Sequence, residues 1–569
     1  MAPGQRGVQD AQEIAAGLRE IAGLLRYGKE PKFRILAYER AAQVVETLGD
    51  ELAAVVEQDR LRSLKGIGPQ LAERIRELWN AGSSPYLERL RQESPPGAAE
   101  LVRVPGLSPR RIRLLHEALG VQTVEELREA CASQRIRGIP GFGEKTEQRL
   151  REACERWLAR VANGGSKPTL YAHALRLAES LERSLASSAE RVAIAGDLRR
   201  GQETVTDLAL VVQGDANRAW QCLDRRREVL RSEPARSLAH LADGLELKLH
   251  LTEAADWGST WVEATGSPAH LAALRERAAR LGVDPSARFE TEAALYAALG
   301  LPLIPPELRN GSDELERAEG EGCAALVELE DVKGLVHCHT SYSDGKHSVL
   351  EMASAAHAAG MEYITITDHS PSAFYAKGVP LDRLERQWEE IAEASERVPI
   401  RILRGVESDI LRDGLLDYPD HVIERLDVVI ASIHARYRMT PPEMTARLVR
   451  AMSLPVFKIW GHGLGRILNH RPPIECDVPA VLDALAASRG AIELNADPWR
   501  LDLPPSWIPE ARRRGLPFVI SVDAHSTRGF EVLRYGVTMA RRGGLTAREV
   551  LNTLGAAEFS ARVKPIATG

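Results

Sequence analysis

The sequence predicts a multidomain protein with an all-α N-terminal part, an α+β middle part and a C-terminal α/β barrel or parallel sheet. A chain of 569 residues is long enough for three or four domains. The first 160 residues have apolar positions at helical spacing, whereas residues 170–310 mix helical stretches with short β-branched runs. After a polar linker at 310–323, strand-like and helical runs alternate, which predicts repeated strand–helix units.

The composition is typical of a globular protein, with 44% hydrophobic and 27% charged residues. No apolar run reaches 18 residues and no signal-peptide pattern is present, so we expect a cytoplasmic protein without membrane association. The six cysteines form no CxxC pair, which argues against a zinc ribbon or a disulfide-based fold. Because the net charge is −6, any nucleic-acid binding must depend on local basic clusters.

A short pattern recurs three times in the helical part. The stretches "LKGIGPQLAERI", "VPGLSPRRIRLL" and "IPGFGEKTEQRL" each place a glycine turn directly before a helix start, and they resemble the helix-hairpin-helix motif. Amides of such a turn can face a phosphate and hold a nucleic-acid backbone without reading bases. The residues expected to do so are Gly66, Gly68, Gly106, Gly141, Gly143 and Lys145. The alternative is that these turns only cap helices in a structural bundle.

Potential metal ligands follow the strand-like runs of the last third. His337 and His339 are two residues apart in "GLVHCH", so their imidazoles share one face of a strand, and Asp523 and His525 repeat this spacing. The candidate ligands are His337, His339, Asp344, His369, Glu407, His434, His462, Asp523 and His525. A lone histidine is more often structural, but nine donors at successive strand ends predict two or three divalent ions, namely zinc, manganese or iron.

Such a centre can bind phosphate oxygens during in-line displacement at phosphorus. Asp344 and Asp523 are the candidates for orienting the nucleophile or moving a proton. Asp368 is a candidate for orienting the adjacent His369. The candidates for phosphate binding are Arg436, Arg466 and Arg500. For each arginine, a structural ion pair is an equal alternative.

The motifs "HCHTSYSDG", "TDHS", "GVESDI", "ASIHARY", "GHGLGR" and "DAHS" resemble, in order, the PHP (polymerase and histidinol phosphatase) domain over residues 331–569. The stretches "FRILAYERAAQVVETL", "AIAGDLRRGQETVTDLALVV", "EATGSPAHLAALRERAARLG" and "LYAALGLPLIPPELR" are similar to motifs of bacterial family X DNA polymerases, so nearly the whole chain resembles that family. The resemblance implies a helical DNA-binding domain at 1–90, a helix-hairpin-helix region at 91–165, a nucleotidyltransferase-like palm and thumb at 166–310, and a distorted (β/α)7 PHP barrel at 325–569. It also implies a trinuclear metal centre on the nine ligands and phosphoesterase chemistry.

The middle part departs from this resemblance where polymerase chemistry is concerned. Two-metal transfer needs carboxylates that hold two ions about 4 Å apart. The family's three aspartates fall on Asp207, Ala209 and Lys248, so only the first keeps its carboxylate. We expect Lys248 and Asp207 to form an ion pair, less than about 6 Å apart. Asp197 replaces a serine that faces the triphosphate in the family, and its charge would repel that group.

Other positions of the polymerase and lyase chemistry differ as well. Glu263 and Ala264 replace the aromatic pair that packs against the nucleotide sugar. Arg74 replaces the Schiff-base lysine, and arginine stays protonated and cannot form that adduct. A single lost metal ligand could be rescued by Glu203 or Glu246, but not all the lost parts together. The sequence therefore predicts a degenerate, inactive polymerase site within a preserved fold.

These observations predict a DNA-binding, metal-dependent phosphoesterase that removes 3′-terminal nucleotides or 3′ phosphates in DNA repair. We expect a monomer that holds gapped, nicked or 3′-ended DNA through its backbone, with divalent ions as its cofactors. Three alternatives stay open: an active repair polymerase with a PHP nuclease, a non-catalytic DNA-binding scaffold, and a phosphatase of a small phosphate ester.

Overall fold

The computed structural model describes residues 11–565, apart from 29, 49–51, 53–54, 57–59, 65, 96, 103, 105–106, 163–167, 242–243, 285–286, 321 and 436–438. The chain divides into two compact units. The first comprises residues 1–169, 173–198 and 204–264, and the second comprises residues 170–172, 199–203 and 265–569. None of the helices within the described residues is long and apolar enough to cross a membrane.

The N-terminal part of the first unit is helical, as predicted. Its helices are Ala11–Tyr27, Lys32–Leu48, Pro69–Ala81, Pro85–Gln92, Ala98–Leu101, Pro109–Leu119, Val124–Ala132 and Glu144–Ala162. Three of them begin with proline, whose fixed φ suits the first helical position. Their apolar faces form two cores, one centred on Ile14, Leu18 and Val45 and the other on Ile112 and Leu115.

The glycines of the first and third turns of this part lie within the described residues. Gly66 and Gly141 have φ values of 89° and 92°, in the left-handed region that favours glycine. A methyl group would point into open space at all four glycines of these turns, which are Gly66, Gly68, Gly141 and Gly143. Gly106 lies outside the described residues, and Lys145 is described only as part of a helix.

The middle part of the chain contains the strands β1 (Thr169–Leu170), β2 (Arg191–Ala195), β3 (Thr204–Val205), β4 (Asp207–Gln213), β5 (Val229–Glu233), β6 (Leu238–Leu241) and β7 (Glu246–Thr252). Among the described residues, the sheet of the first unit has five of these strands, in the order β2-β4-β7-β6-β5. The helices of this middle part are Tyr171–Leu185, Gly196–Arg199, Ala216–Asp224 and Trp257–Thr265. β4 and β7 run parallel with Ala209 opposite Lys248, so Asp207, Ala209 and Lys248 share one face.

In its described residues, the second unit contains seven parallel strands in chain order, which confirms the predicted barrel. The strands are β8 (Gly334–Cys338), β9 (Tyr363–Ile366), β10 (Arg401–Asp409), β11 (Val428–Ser432), β12 (Lys458–Trp460), β13 (Gly490–Asn495) and β14 (Phe518–Ser521). The amide of Ala524 donates to the carbonyl of His337, and that of His339 donates to the carbonyl of Ala524, each over 2.9 Å. These bonds join the end of β14 to β8 and nearly close the barrel.

Helices surround the barrel and one of them covers an end. The helices of this unit are Pro268–Leu281, Glu292–Ala298, Glu314–Gly320, Val349–Ala358, Leu381–Arg397, Asp420–Ile423, Pro441–Met452, Val478–Ala487, Ile508–Arg513, Leu533–Arg542 and Ala556–Val563. Phe559 of the last helix stacks on Tyr363 at 4.7 Å, within a buried cluster that includes Val336 and Val519. Because Tyr363 begins its strand, this helix closes the amino-terminal end and leaves the carboxyl end for chemistry.

Candidate metal centre

The carboxyl ends of the barrel strands bring together all nine donors that the sequence singles out. They form four groups in which the donor atoms lie within 4.8 Å of one another. The groups are His339–Asp344–His369–His525, His337–His462–Asp523, His337–His339–Glu407 and His369–Glu407–His434. Shared members link every group to another, so the nine residues form one continuous cluster.

Glu407, at the end of β10, lies at the middle of this cluster. Its Oε1 is 2.8 Å from Nε2 of His462 and 3.2 Å from Nε2 of His434. Its Oε2 is 2.8 Å from Nδ1 of His369 and 3.4 Å from Nε2 of His337. A buried carboxylate with histidines beside both oxygens would hold metal ions together with those histidines.

The two aspartates lie on either side of His339. Asp523 Oδ1 is 3.3 Å from Nε2 of His339, and Asp344 Oδ1 is 3.3 Å from Nε2 of His525. The side chains of Asp344 and His525 are 32% and 38% exposed, whereas that of His339 is fully buried. The cluster is therefore open to solvent on the side of Asp344 and His525.

The donor set fits metal ions because several of its buried atoms have no other partner. Within the described residues, the buried atoms that make no hydrogen bond include Nε2 of His337, both ring nitrogens of His339, Oε2 of Glu407 and Nδ1 of His462. Leaving such an atom unsatisfied costs about 1–3 kcal/mol. Burial and the imidazoles of His525 and His369 lower the pKa of His339 to about 3, so its ring is neutral and can act as a ligand.

Three residues of the cluster have unusual backbone conformations. The φ angles of His337, Asp523 and His462 are 70°, 47° and 26°, in a region that residues other than glycine rarely adopt. Each such residue costs on the order of 1–3 kcal/mol and persists only where its surroundings hold it. The amide of His462 donates to the carboxylate of Glu493, and the carbonyl of His337 accepts from Ala524. Strain of this kind is typical of functional sites.

Two carboxylates behind the cluster are not among the residues that the sequence singles out. Glu493 Oε1 lies 2.5 Å from Nδ1 of His337, and Asp409 Oδ1 lies 3.1 Å from Nδ1 of His434. Both leave Nε2 of the histidine directed at the centre, as carboxylate partners of metal-bound histidines do. Burial opposes ionisation of Glu493, but His337 outweighs it and keeps the pKa of Glu493 below its usual value. The only sequence signal for Glu493 is a carboxylate within an apolar strand.

The contacts of Asp368 differ from those expected of a residue that orients His369. Its carboxylate accepts hydrogen bonds from the amide and the hydroxyl of Thr340, at 2.8 and 2.6 Å, and from Nε2 of Gln387 at 2.6 Å. Burial raises its pKa. Asp368 therefore fixes the loop that carries Asp344.

The three candidate arginines differ in their surroundings. Arg500 Nε lies 3.4 Å from Asp523 Oδ2, so its guanidinium borders the cluster. Arg466 is buried and donates to the carbonyl of Arg500 and to the carboxylate of Glu203. Its guanidinium also donates to the carbonyl of Leu501, so it holds the loop before Asp502, which is the structural alternative considered for it. Arg436 lies outside the described residues.

Comparison with known proteins agrees with this arrangement. Family profiles match a helix-hairpin-helix domain at residues 9–84, a SAM-like helix-hairpin-helix tandem at 98–156 and a PHP domain at 336–496. The DNA polymerase/3′-5′ exonuclease PolX of Bacillus subtilis (strain 168) is 34% identical over an alignment that covers 97% of this chain and 99% of that protein. This chain belongs to the PolX family.

The PHP part of this PolX chain also matches smaller proteins. A probable phosphatase of Caldanaerobacter subterraneus subsp. tengcongensis is 30% identical over 33% of this chain and 74% of its own length. A probable phosphatase of Acetivibrio thermocellus is 31% identical over 35% of this chain and 81% of its own length.

The palm of this PolX chain contains the predicted ion pair. Lys248 Nζ lies 2.7 Å from Oδ2 of Asp207. Ala209, at the position of the family's second aspartate, is buried in an apolar cluster with Ala195, Val211 and Trp257. A cation and an apolar cluster thus replace two of the three carboxylates that the family resemblance leads one to expect.

The neighbouring polar residues of the palm are also engaged. Arg199 forms a two-pronged ion pair with Glu292, with both N–O distances 2.7 Å, and Arg309 binds the same carboxylate at 2.6 Å. Burial opposes ionisation of Glu292, but the two arginines hold its pKa below the usual value. Glu246, one of the two possible rescuing carboxylates, lies 3.8 Å from Nδ1 of His240. Asp197 lies on the one-turn helix Gly196–Arg199.

Proposed function

We propose that this PolX chain is a metal-dependent phosphoesterase that removes 3′-terminal nucleotides or 3′ phosphates from DNA during repair, and that its palm does not polymerise. One observation carries the proposal: nine donor side chains, with Glu407 at their middle, converge at the barrel strand ends, whereas only Asp207 keeps a carboxylate among the family's three aspartate positions and is paired with Lys248.

The nine residues have the composition and burial that a centre of two or three zinc, manganese or iron ions needs. Such ions, when bound, supply a water nucleophile of lowered pKa and neutralise the phosphate oxygens. Glu407 and the histidines would bind the ions, and Glu493 and Asp409 would hold His337 and His434 in orientation.

The remaining polar groups would act on the substrate and its protons. Arg500 is placed to donate to a non-bridging phosphate oxygen. Asp344, at the open side, and Asp523, beside His339, are the groups proposed to orient the nucleophile or accept its proton. Asp368 would keep Asp344 in position by fixing its loop.

The helical part is proposed to hold DNA through its backbone. Two helix-hairpin-helix matches and the open backbone at Gly66, Gly68, Gly141 and Gly143 support this role. The proposed domains are residues 1–90, 91–165, 166–310 and 325–569. The protein is proposed to act as a monomer on gapped, nicked or 3′-ended DNA. Salt-dependent binding to DNA of any sequence would be its signature.

Two other functions are each favoured by a specific observation. The Bacillus subtilis relative is named a DNA polymerase as well as a 3′-5′ exonuclease, and Asp207 is retained, which favours a polymerase with a PHP nuclease. The matches to probable phosphatases favour hydrolysis of a small phosphate ester.

One assay separates these functions. The purified full-length protein is incubated with Mn²⁺ and a 5′-labelled primer whose 3′ end borders a gap in duplex DNA, with and without nucleotides. We expect shortening of the primer under both conditions. Template-directed extension would support the polymerase. An unchanged primer together with release of phosphate from a small ester would support the phosphatase.

A further inference from the structure

The loops at the mouth of the metal centre carry aromatic side chains that the fold does not bury. Within the described residues, the exposed aromatic side chains are Phe33, Phe374, Tyr375 and Trp499. All but Phe33 follow barrel strands at their carboxyl ends. Phe374 and Tyr375 are 87% and 68% exposed, and Trp499 is 43% exposed. Apolar surface of this kind, at the rim of a polar centre, is typical of a binding surface.

One of these rings lies next to donors of the centre itself, and a second belongs to the residue before Arg500. The ring of Tyr375 is 6.0 Å from that of His369 and 5.8 Å from that of His434, centroid to centroid. Trp499 directly precedes Arg500, whose Nε lies 3.4 Å from Asp523. A planar group stacked on Tyr375 would therefore stand one nucleotide or less from a phosphate held at the centre.

The loop that carries Tyr375 is held in place from several directions. The amide of Ser372 donates to the carboxylate of Asp417 at 2.7 Å, and its hydroxyl donates to the carboxylate of Asp409 at 3.1 Å. The amide of Val379 donates to the carbonyl of His369 at 2.8 Å. Since Asp409 also contacts His434, the same carboxylate positions the loop and a donor of the centre. The rings are thus presented on a preorganised loop.

The loop that carries Trp499 is similarly fixed. The amide of Trp499 donates to the carboxylate of Asp497 at 2.7 Å, and the carbonyl of Trp499 accepts from the amide of Leu468 at 2.7 Å. The indole also packs beside His470, with ring centroids 5.3 Å apart. One side of the indole is therefore supported by protein while the residue remains exposed.

We propose that Tyr375 and Trp499 form a base-stacking subsite for the last nucleotides of a single-stranded DNA 3′ end, with Tyr375 stacking on the terminal base. This inference rests on the proposed phosphoesterase function and names the substrate class of the same site. Aromatic rings accept any base, because every base has a π face, so the subsite accounts for binding without sequence preference. A small phosphate ester without a base would gain nothing from these rings.

The test is a cycle that removes the ring, the base or both. Hydrolysis of single-stranded oligonucleotides with a normal or an abasic 3′-terminal nucleotide is measured for wild type, Tyr375→Ala and Tyr375→Phe. Removing the ring or the base alone should each lower kcat/KM about tenfold, and removing both should cost little more than removing one. Tyr375→Phe should behave like wild type. Equal losses for Tyr375→Ala on normal and abasic ends would overturn the inference.

A binding measurement makes the test independent of turnover. An oligonucleotide with 2-aminopurine at its 3′ end is titrated with the full-length protein in EDTA, where stacking quenches the fluorescence. We expect quenching by wild type, reduced quenching by Tyr375→Ala and Trp499→Ala, and no change in Leu329→Ala, an exposed apolar residue before β8. Quenching without hydrolysis by the metal-loaded protein would refute the proposed function alone. Hydrolysis without ring-dependent quenching would refute the subsite alone.

Discussion

Lys248 Nζ lies 2.7 Å from Oδ2 of Asp207, so an ammonium group lies beside the carboxylate at the start of β4. Both side chains are partly exposed, and such a pair contributes at most about 1 kcal/mol to stability. Its consequence is chemical. A divalent cation at Asp207 would have to displace Lys248 and would still lack oxygen ligands at Ala209.

The first prediction concerns attempts to restore the palm. Lys248→Asp should add no nucleotide to a primer with Mn²⁺, because Ala209 still supplies no ligand. Ala209→Asp should lower the free energy of unfolding by about 1–3 kcal/mol, because its carboxylate would enter the apolar cluster with Trp257. Urea unfolding measures this, with the exposed Ala186→Asp as control. Primer extension by Lys248→Asp would contradict this prediction, because it would show that one substitution restores polymerisation.

The second prediction concerns Glu493, which holds the Nδ1 side of His337. Glu493→Gln keeps the shape but weakens the hold on the imidazole, so Mn²⁺ or Zn²⁺ should bind about 10- to 100-fold more weakly. Isothermal titration of the metal-free protein measures the affinity. The control is Glu475→Gln, which changes an exposed carboxylate in the loop before the helix Val478–Ala487 and should leave the metal affinity unchanged. Equal affinities in both variants would contradict the orienting role.

The third prediction contrasts two arginines that the sequence leaves equivalent. Arg500→Ala should lower kcat/KM for DNA ends by about 100-fold, since a charge-assisted phosphate contact is lost. Arg466→Ala should mainly lower the thermal midpoint, because its guanidinium holds the carbonyl of Arg500 and Glu203. A thermal scan and steady-state kinetics on both variants separate the two effects. The reverse pattern would exchange the assigned roles.

The fourth prediction is a pH dependence of stability. Burial, and then the charge of Arg489, lower the pKa of Lys458 from 10.5 to about 7, and its Nζ donates to Ser488 Oγ at 2.8 Å. Below pH 7 the ammonium is charged in both states and its burial is unfavourable. Between pH 7 and 10.5 the folded protein loses this proton first, so Lys458 makes stability rise with pH.

Urea unfolding in EDTA at pH 7, 8 and 9 tests this dependence on Lys458. The gain in unfolding free energy between pH 7 and pH 9 should exceed that of Lys458→Met by at most about 3 kcal/mol. Comparing the two proteins removes the contribution of other titrating groups. Parallel pH profiles would contradict the shifted pKa.

The sequence reveals the barrel and its nine donors because strand ends in such a fold converge. The pairs His337–His339 and Asp523–His525 also mark strand faces by their spacing of two. The Lys248–Asp207 pair is predictable for a similar reason, since both positions are defined by a family motif on neighbouring strands. In each case the residue type and its place in a strand contain the necessary information.

The remaining parts of the site depend on contacts between distant segments. Glu493 and Asp409 give no spacing signal, because their histidine partners lie on other strands. Asp368 is adjacent to His369 in sequence, yet its carboxylate binds Thr340 of another loop. Arg466 and Arg500 differ only in what surrounds them once folded. Sequence identifies residue types at a strand end, but only tertiary packing shows which partner each one meets.

The most direct test of the central claim compares two variants, each lacking one carboxylate, on the same gapped primer with Mn²⁺ and nucleotides present. Glu407→Gln removes the carboxylate at the middle of the barrel cluster, and Asp207→Ala removes the only aspartate that this sequence keeps at the three aspartate positions of the family. We predict that Glu407→Gln lowers the rate of primer shortening by more than about 100-fold, whereas Asp207→Ala shortens primers like wild type. Wild-type primer extension that disappears in Asp207→Ala, or shortening that persists in Glu407→Gln, would contradict the account.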